Sequence, residues 1–216
     1  MTTKKTIAVI GLGNIGQVVA ANLAKSNRSF IAADRNLEKA KALAAQWGAT
    51  AHASDIASAV KDANMVILSI PFGTITDFMK QYAADLEGKV IIDPSNPIAP
   101  DEKGGFKKII GANQSAGQIN AAALPKNAKL VKALGTLAAG SLAASAYHKP
   151  EVTALFYATD DTTINAQVEE LIADSGFAPV RIGGIDQSIR IEVFGDLHEF
   201  GALGKTVNAT EAKSKI

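Results

Sequence analysis

Two hydrophobic periods alternate along the first 93 residues, and this alternation constrains the fold more than any other feature of the sequence. Short apolar runs rich in Val and Ile indicate buried strands. Between these runs, apolar residues recur at helical spacing. Strands that are apolar throughout and that alternate with helices are typical of a parallel sheet covered on both faces. The sequence therefore predicts an α/β fold with a doubly wound, mostly parallel sheet flanked by helices.

The predicted elements continue to the end of the chain. Strands are predicted at residues 6–10, 29–33, 50–53, 65–70, 89–93, 129–133, 152–158 and 179–182. Helices are predicted at residues 13–26, 37–47, 55–61, 74–84, 113–124 and 162–175. The proline- and glycine-rich residues 93–105 predict a long loop. A last helix over residues 186–204 is expected as a short C-terminal helical extension, and residues 208–216 are expected to be a polar tail that frays.

Charge and composition exclude several classes of protein. The 22 basic and 21 acidic residues leave a net charge of +1, which gives no support to a nucleic-acid partner. The absence of cysteine and the three scattered histidines exclude disulfides and predict no metal site. The sequence has neither a signal-peptide pattern nor the ~20 apolar residues that a membrane helix needs. We therefore expect a cytoplasmic protein without a membrane partner.

A glycine-rich turn follows the first strand and opens the first helix. It reads Gly11-Leu12-Gly13-Asn14-Ile15-Gly16, the pattern G-x-G-x-x-G. In this context the first glycine permits a tight turn, the second lets a pyrophosphate approach the backbone, and the third lets the helix pack on the strand. Free N–H groups around Asn14 and Ile15 would then bind phosphate. The turn predicts a single NAD(P)-binding, Rossmann-like domain over residues 1–207, and the alternative is a glycine turn without a ligand.

Three residues after the second strand bear on the choice of dinucleotide. Asp34 lies 18 positions after the third glycine, close to the ~20 expected for the acidic residue that bonds the adenosine ribose. Its carboxylate would repel a 2′-phosphate and favours NAD(H). Arg35 and Lys39 favour NADP(H), because Arg35 can stack on adenine and bind a phosphate with its guanidinium, and Lys39 adds charge one helical turn later. Both could also be ordinary solvated residues at a helix start.

Two further strand ends are expected to face the nicotinamide. The segment Ser69-Ile70-Pro71-Phe72 follows the fourth strand, and Pro94-Ser95-Asn96-Pro97 follows the fifth. Open α/β sheets bind ligands at the carboxyl ends of their strands. We predict that Ser69, Ile70, Pro71, Phe72, Asn96 and Pro97 contact the cofactor. The alternative is that the prolines only stop the strands.

Several segments together resemble the NADP oxidoreductases that depend on the deazaflavin coenzyme F420, whose cofactor domain is shared with STEAP-type ferrireductases. The resembling segments are residues 7–11, 66–71, 91–97, 115–117, 130–136 and 200–204. The resemblance implies an NAD(P)H-dependent oxidoreductase that transfers hydride between a nicotinamide and a flat acceptor, either deazaflavin or flavin. It also implies a homodimer acting on a small molecule.

The same resemblance assigns roles to individual residues. Arg35 and Lys39 match positions that hold the 2′-phosphate, which favours NADP(H) over NAD(H). Thr136 is placed near the reacting ring, and Gly135 stands where the family has a larger polar residue, so it is expected to leave room for the acceptor. Such chemistry needs proximity and stacking more than an acid or base, and no catalytic side chain is assigned.

Two questions stay open at this point. His198 is either a proton carrier at the acceptor site or, as we favour, a surface or interface histidine. The absence of a secure acid–base pair also keeps a second function open, namely a dinucleotide-binding sensor or partner-binding module without turnover.

Overall fold

The structure, a computed structural model, describes residues 5–216. Its strands are β1 (Ile7–Ile10), β2 (Phe30–Ala33), β3 (Ala51–Ser54), β4 (Met65–Leu68), β5 (Val90–Asp93), β6 (Ile98–Pro100), β7 (Phe106–Lys108), β8 (Lys129–Lys132), β9 (Ala154–Ala158) and β10 (Ala178–Gly183). Its α-helices are α1 (Asn14–Lys25), α2 (Leu37–Trp47), α3 (Ile56–Asp62), α4 (Phe72–Gln81), α5 (Ala83–Leu86), α6 (Ala116–Ala121), α7 (Ala139–Ala144), α8 (Asn165–Asp174) and α9 (Ala209–Lys213).

Eight of these strands form one sheet in the order β10-β9-β8-β5-β4-β1-β2-β3. The six strands from β8 to β3 in this order run parallel to one another. Strand β9 pairs antiparallel with β8 through Lys132 and Ala158, and β10 pairs parallel with β9. The predicted Rossmann-like, doubly wound and mostly parallel sheet is confirmed.

The sheet is buried on both faces, which explains why its strands are apolar throughout. Successive residues of a strand point to opposite faces, so Ile7 and Val9 pack in one hydrophobic cluster while Ala8 and Ile10 pack in the other. Helices α1, α2, α7 and α8 cover the first face, and helices α3, α4 and α5 cover the second. Loops rather than helices follow directly at the carboxyl ends of the central strands.

The helix boundaries follow signals that the sequence carries. Gly48 ends α2 with a φ of 74°, and its N–H bonds the carbonyl of Ala44. Asp55 caps α3, because its carboxylate accepts the N–H of Ser58 at 2.9 Å. Both ends agree with the predicted boundaries.

The long loop predicted at residues 93–105 is only partly a loop. Strands β6 and β7 pair as an antiparallel hairpin over Ile98 to Lys108. Gly104 and Gly105 turn the chain between them with φ values of 91° and 77°. Because this short hairpin buries little of its surface, no alternation of apolar and polar residues announces it in the sequence.

The helix predicted over residues 186–204 is wrong. The chain forms a 3-10 segment at Ile185–Ile191 and then a series of turns. A Cβ at Gly201 would lie 1.7 Å from the carbonyl oxygen of Gly195. The turns therefore bring these two backbone segments together more closely than a side chain at Gly201 would permit. The apolar residues of this region pack instead against β9 and β10, with Ile191 and Leu197 buried there.

The fraying tail predicted at residues 208–216 is also wrong for most of its length. Helix α9 lies there, capped by Asn208, whose side chain accepts the N–H of Glu211 at 2.8 Å. Ala212 is buried against the β9–β10 edge of the sheet. One buried alanine in a polar segment is too weak a pattern to predict packing.

Residues 5–216 lack two kinds of feature. No helix in this range has the length and hydropathy to cross a membrane. No three histidine, aspartate or glutamate side chains in this range gather as metal ligands.

Candidate functional site

Two cavities meet at the carboxyl ends of the central strands. The cavity beside β2, called the β2 cavity, has a volume of about 540 Å³ and is lined by Asp34, Arg35 and Lys39 among others. The second, called the β5 cavity, has a volume of about 450 Å³ and lies between the loops that follow β4, β5 and β8. The residues that line both cavities are Gly13, Ser69, Ile70 and Pro71. The two cavities therefore adjoin directly at the glycine turn.

The three glycines of the turn have different surroundings. A Cβ at Gly11, whose φ is 88°, would lie 2.4 Å from the carbonyl oxygen of Ser69, and one at Gly16 would lie 1.9 Å from that of Gly11. A Cβ at Gly13 would meet no atom within 4 Å. The first and third glycines are thus required by the fold, whereas the second leaves open space above the start of α1.

This open space fits the diphosphate of a dinucleotide. The first N–H groups of an α-helix have no partner within the helix and carry its positive partial charge. At α1 these groups include those of Asn14 and Ile15, which line the β5 cavity beside Gly13. Leu12 is buried and does not line either cavity. The open space at Gly13 and the N–H groups of Asn14 and Ile15 therefore fit a phosphate group.

Asp34 shapes the glycine turn from the end of β2. Its carboxylate accepts the N–H of Leu12 at 2.9 Å and that of Asn36 at 3.1 Å, and the Lys39 ammonium lies 3.4 Å from it. Burial opposes ionisation, but these hydrogen bonds and the Lys39 charge hold the pKa of Asp34 below its ordinary value. The charges of Asp34 and Lys39 offset each other at the wall of the β2 cavity.

Arg35 is the cation of the β2 cavity that is available to bind a ligand. It is exposed, lines the β2 cavity, and forms no hydrogen bond or ion pair with another residue of the described range. Its guanidinium is therefore available to a ligand phosphate or to the face of a purine ring.

The predicted nicotinamide contacts divide into two groups. Ser69, Ile70, Pro71, Phe72 and Asn96 line the β5 cavity. Pro97 and Thr136 are buried and do not line it. The structure thus brings most of the predicted residues together, while these two lie behind the cavity wall.

Asn96 uses its amide to join two loops. Its Nδ2 donates to the carbonyl of Gly135 at 2.9 Å, and its Oδ1 accepts the N–H of Val193 at 2.7 Å. Both ends of the side chain are therefore engaged within the protein. We conclude that Asn96 holds the wall of the cavity in place.

Gly135 does not leave room for an acceptor as expected. A Cβ at this position would lie 2.3 Å from the carbonyl oxygen of Pro94. The missing side chain instead allows the loop after β8 to pack against the loop after β5. The expectation from the sequence was wrong because it could not show which way this Cβ would point.

His198 is neither a surface residue nor a free proton carrier. It is 1% exposed and lines the β5 cavity. Its Nε2 bonds the Gly135 carbonyl at 3.2 Å, and its Nδ1 accepts the N–H of Phe200 at 3.0 Å. These partners define a neutral ring protonated at Nε2. Burial lowers the pKa of His198, against the opposing effects of the Gly135 bond and of Glu199.

A buried ion pair holds the loop that follows β5, and the sequence analysis did not predict it. The Lys132 ammonium lies 3.1 Å from the Asp93 carboxylate, and it also donates to the carbonyl of Ser95. Asp93 further accepts the Asn120 amide at 2.9 Å and the Ser95 N–H at 2.8 Å. The sequence signal for this pair was the charged residue at the last position of each strand, Asp93 in β5 and Lys132 in β8.

Glu192 anchors the C-terminal segment to helix α6. Its buried carboxylate accepts the N–H groups of Ala116 and Gly117, each at 2.9 Å, and the Ser115 hydroxyl at 3.0 Å. A lone acidic residue between Ile191 and Val193 is the only sequence sign of this contact. Segment 192–200 thereby forms one wall of the β5 cavity.

Comparisons with known proteins agree with the geometry of the site. Residues 6–97 match the family described as "NADP oxidoreductase coenzyme F420-dependent". An opine dehydrogenase from Arthrobacter sp. (strain 1C) is 35% identical over 129 residues, covering 52% of this chain and 35% of the relative. An F420-dependent NADP reductase from Methanocaldococcus jannaschii is 31% identical over 102 residues, covering 43% of this chain and 46% of the relative. The chain thus matches less than half the length of either curated relative.

One solved structure is similar over nearly its whole length. A hypothetical protein from Sinorhizobium meliloti has a TM-score of 0.81 and 28% identity, and the match covers 94% of this chain and 95% of that one. The resemblance read from the sequence is confirmed over residues 6–97, and the Rossmann-like fold extends beyond them. The further likeness to STEAP-type ferrireductases stays a prediction.

Proposed function

Since residues 6–97 carry the domain of the coenzyme F420-dependent NADP oxidoreductases, we propose that this chain is an NAD(P)H-dependent oxidoreductase that transfers hydride between a nicotinamide and a flat flavin-type acceptor, either deazaflavin or flavin. The observation that carries the proposal is the pair of adjoining cavities. One is lined by the cations Arg35 and Lys39 together with the carboxylates Asp34 and Asp77, the other is mostly apolar, and they meet at the open glycine.

NADP(H) is the proposed cofactor, with NAD(H) as the alternative. Arg35 supplies an unpaired cation to the 2′-phosphate, and Lys39 reduces the repulsion from Asp34 by pairing with it. Asp34 retains free acceptor capacity for a ribose hydroxyl, which would permit NAD(H) as well. The preference for NADP(H) or NAD(H) therefore depends on whether the attraction of Arg35 for the 2′-phosphate outweighs the bond of Asp34 to the ribose.

The β5 cavity would position two rings against each other. When bound, the reduced nicotinamide supplies the hydride. Ser69, Ile70, Pro71 and Phe72 form the wall next to the glycine turn, and Asn96 and His198 hold the opposite loops in register. Fixing two rings at contact distance lowers the barrier without an acid or base.

Two measurements test the proposal. Titration calorimetry should detect saturable binding of NADPH that is tighter than that of NADH. Stopped-flow mixing of NADPH-loaded protein with riboflavin or a deazaflavin should then oxidise the nicotinamide faster than the protein-free mixture does. Rates equal to those of the protein-free mixture would refute hydride transfer to these acceptors.

A sensor without turnover is the second candidate. The observation that favours it is that His198 has both ring nitrogens engaged, so the β5 cavity offers no free general acid. A sensor would bind NADPH as tightly as an enzyme does but would leave its oxidation rate unchanged. The two measurements above therefore separate the candidates.

The assembly and location of the protein are also proposals. We propose a cytoplasmic homodimer acting on a small molecule, without a nucleic-acid partner, on the basis of the family resemblance and the balanced charge. We also propose a single domain over residues 1–207, to which α9 packs. Light scattering after gel filtration tests the dimer.

A further inference from the structure

A buried hydroxyl in the wall of the β5 cavity has an unused hydrogen-bonding capacity. Ser95 lines this cavity and is 8% exposed. Its Oγ is buried and forms no hydrogen bond with any residue in the range 5–216. Because a hydroxyl that is removed from water without a partner is unfavourable, a ligand that supplies the partner is bound more tightly.

The other polar side chains that line the cavity do not share this property. Asn96 and His198 use both polar atoms of their side chains for bonds within the protein. Asn14 is exposed and Ser69 is half-buried, so water can reach both. Ser95 is therefore the residue of the cavity whose hydrogen bonding a ligand would complete.

The backbone of Ser95 is fixed on both sides, whereas its side chain can turn. The Ser95 N–H donates to the Asp93 carboxylate at 2.8 Å, and the Ser95 carbonyl accepts the Lys132 ammonium. These two partners are buried and paired with each other. Since no described residue bonds the Oγ, rotation about the Cα–Cβ bond can direct it towards a bound ligand at little cost. The buried ion pair thus positions a hydroxyl that remains adaptable.

The order of the strands places Ser95 near the ring end of a bound dinucleotide. The N–H groups of Asn14 and Ile15, which we assign to the diphosphate, follow β1 and line the same cavity. Strand β4 lies next to β1, and β5 lies next to β4. Two strand spacings amount to about 10 Å, a distance that a ribose and a ring can bridge. The ring would therefore reach the loop after β5.

The rings expected in this cavity carry amide groups. Nicotinamide has a carboxamide, and a flavin or deazaflavin has a pyrimidine ring in which an N–H lies between two carbonyls. Either ring offers an uncharged carbonyl oxygen that can accept the O–H of a serine. Such a bond suits a wall that is otherwise mostly apolar, because neither partner carries a formal charge.

Resting on the proposed function, we propose that Ser95 is a binding residue whose hydroxyl donates a hydrogen bond to an amide carbonyl of a ring held in the β5 cavity. The nicotinamide carboxamide and the pyrimidine ring of the acceptor are the two sources of this chemistry. The bond would restrain the rotation of the ring and so help to hold the donor and acceptor rings against each other.

A matched pair of ligands tests the nicotinamide as the partner. NADP⁺ and 2′-phospho-ADP-ribose differ by the nicotinamide ring, which a hydroxyl replaces in the second compound. In calorimetry, Ser95→Ala should raise the dissociation constant of NADP⁺ about three- to tenfold, the effect of one neutral hydrogen bond, and leave that of 2′-phospho-ADP-ribose unchanged. An equal rise for both ligands would assign the hydroxyl to the ribose or diphosphate and overturn the proposal.

The Michaelis constant of riboflavin tests the acceptor as the partner. If Ser95 bonds the pyrimidine ring, Ser95→Ala should leave both dissociation constants unchanged and raise this Michaelis constant about three- to tenfold. The proposal is overturned if neither the dissociation constant of NADP⁺ nor the Michaelis constant of riboflavin changes.

Ser175→Ala is the matched control. Ser175 is 1% exposed and lies outside both cavities, and its Oγ donates to the Leu171 carbonyl at 2.9 Å. Its removal should lower the melting temperature and change no ligand constant. Ser95→Ala should instead leave the melting temperature of the free protein unchanged or higher, because its hydroxyl has no partner to lose among the described residues. A melting temperature lowered as much as in Ser175→Ala would assign the hydroxyl to the fold and overturn the proposal.

The failure of this proposal differs from the failure of the proposed function. If the wild type binds NADP⁺ and reduces riboflavin but Ser95→Ala has the same constants, the function stands and the role of Ser95 is refuted. If the wild type binds NADP⁺ but reduces no flavin or deazaflavin, hydride transfer is refuted, and the calorimetric comparison still decides the role of Ser95. If the wild type does not bind NADP⁺ or NADPH, both proposals fail.

Discussion

Gly13→Val should abolish dinucleotide binding while leaving the fold intact. A Cβ at Gly13 meets no atom of the protein within 4 Å, and the φ of −77° suits an L-residue. The valine side chain would therefore fill the space that we assign to the diphosphate. The free energy of unfolding should stay within about 0.5 kcal/mol of the wild type, so the melting temperature should move by about 2 °C at most.

The expected loss of affinity follows from the groups that the diphosphate would leave. The N–H groups of Asn14 and Ile15 are placed to bond it, and a hydrogen bond to a charged group contributes about 1.5–3 kcal/mol. Losing two such bonds raises the dissociation constant by roughly two to four orders of magnitude. Titration calorimetry with NADPH measures this change, and circular dichroism measures the melting temperature.

Two further variants serve as controls. At Gly140 in α7 a Cβ also meets nothing within 4 Å, so Gly140→Val should change neither stability nor affinity. Gly16→Ala should instead destabilise the protein by about 1–3 kcal/mol or more, because its Cβ would lie 1.9 Å from the Gly11 carbonyl. Wild-type affinity for NADPH in Gly13→Val would refute the assignment of the diphosphate to this turn.

Three other predictions concern single contacts. Arg35→Ala should raise the dissociation constant of NADPH about two- to fivefold more than that of NADH in calorimetry, because a contact of the guanidinium with adenine serves both dinucleotides whereas its contact with the 2′-phosphate serves NADPH alone; equal changes would contradict this role. Asp93→Ala should lower the free energy of unfolding by about 3–5 kcal/mol in urea titrations, since it leaves Lys132 buried and unpaired, and adding Lys132→Met should recover part of the loss; an additive loss would argue against the pair. Burial lowers the pKa of His198 below 6.5, so the unfolded chain binds more protons and stability should decrease as the pH falls through 6.5. His198→Gln should weaken this decrease, and identical pH profiles would refute it.

The fold could be predicted from the sequence because its signals are local. Buried parallel strands such as Met65–Leu68 are apolar on both faces, and Gly48 and Asp55 mark helix ends through their own backbone preferences. The close backbone contacts at Gly11 and Gly16 and the open space at Gly13 were also expected from the spacing of the motif. These features depend on residues within a few positions of one another.

The interior of the candidate site could not be predicted, because it depends on directions and partners that are distant in sequence. Asn96 was assigned to the cofactor, yet its amide joins Gly135 and Val193. Gly135 was expected to leave space, yet its missing Cβ accommodates Pro94. His198 was favoured as a surface or interface residue, whereas turns at Gly195 and Gly201 direct it inward.

The anchoring of segment 192–200 has a consequence for the order in which the site forms. The contact between Val193 and Asn96 spans 97 residues, and that between Glu192 and Ala116 spans 76. Closing such long loops carries an entropic penalty that the short β1–α1–β2 unit does not face. During synthesis, the phosphate-binding turn can therefore be complete while the ring cavity still lacks one wall. On the proposed function, a nascent chain would acquire affinity for the nucleotide before it acquires a place for the acceptor, so cofactor capture would precede catalytic competence.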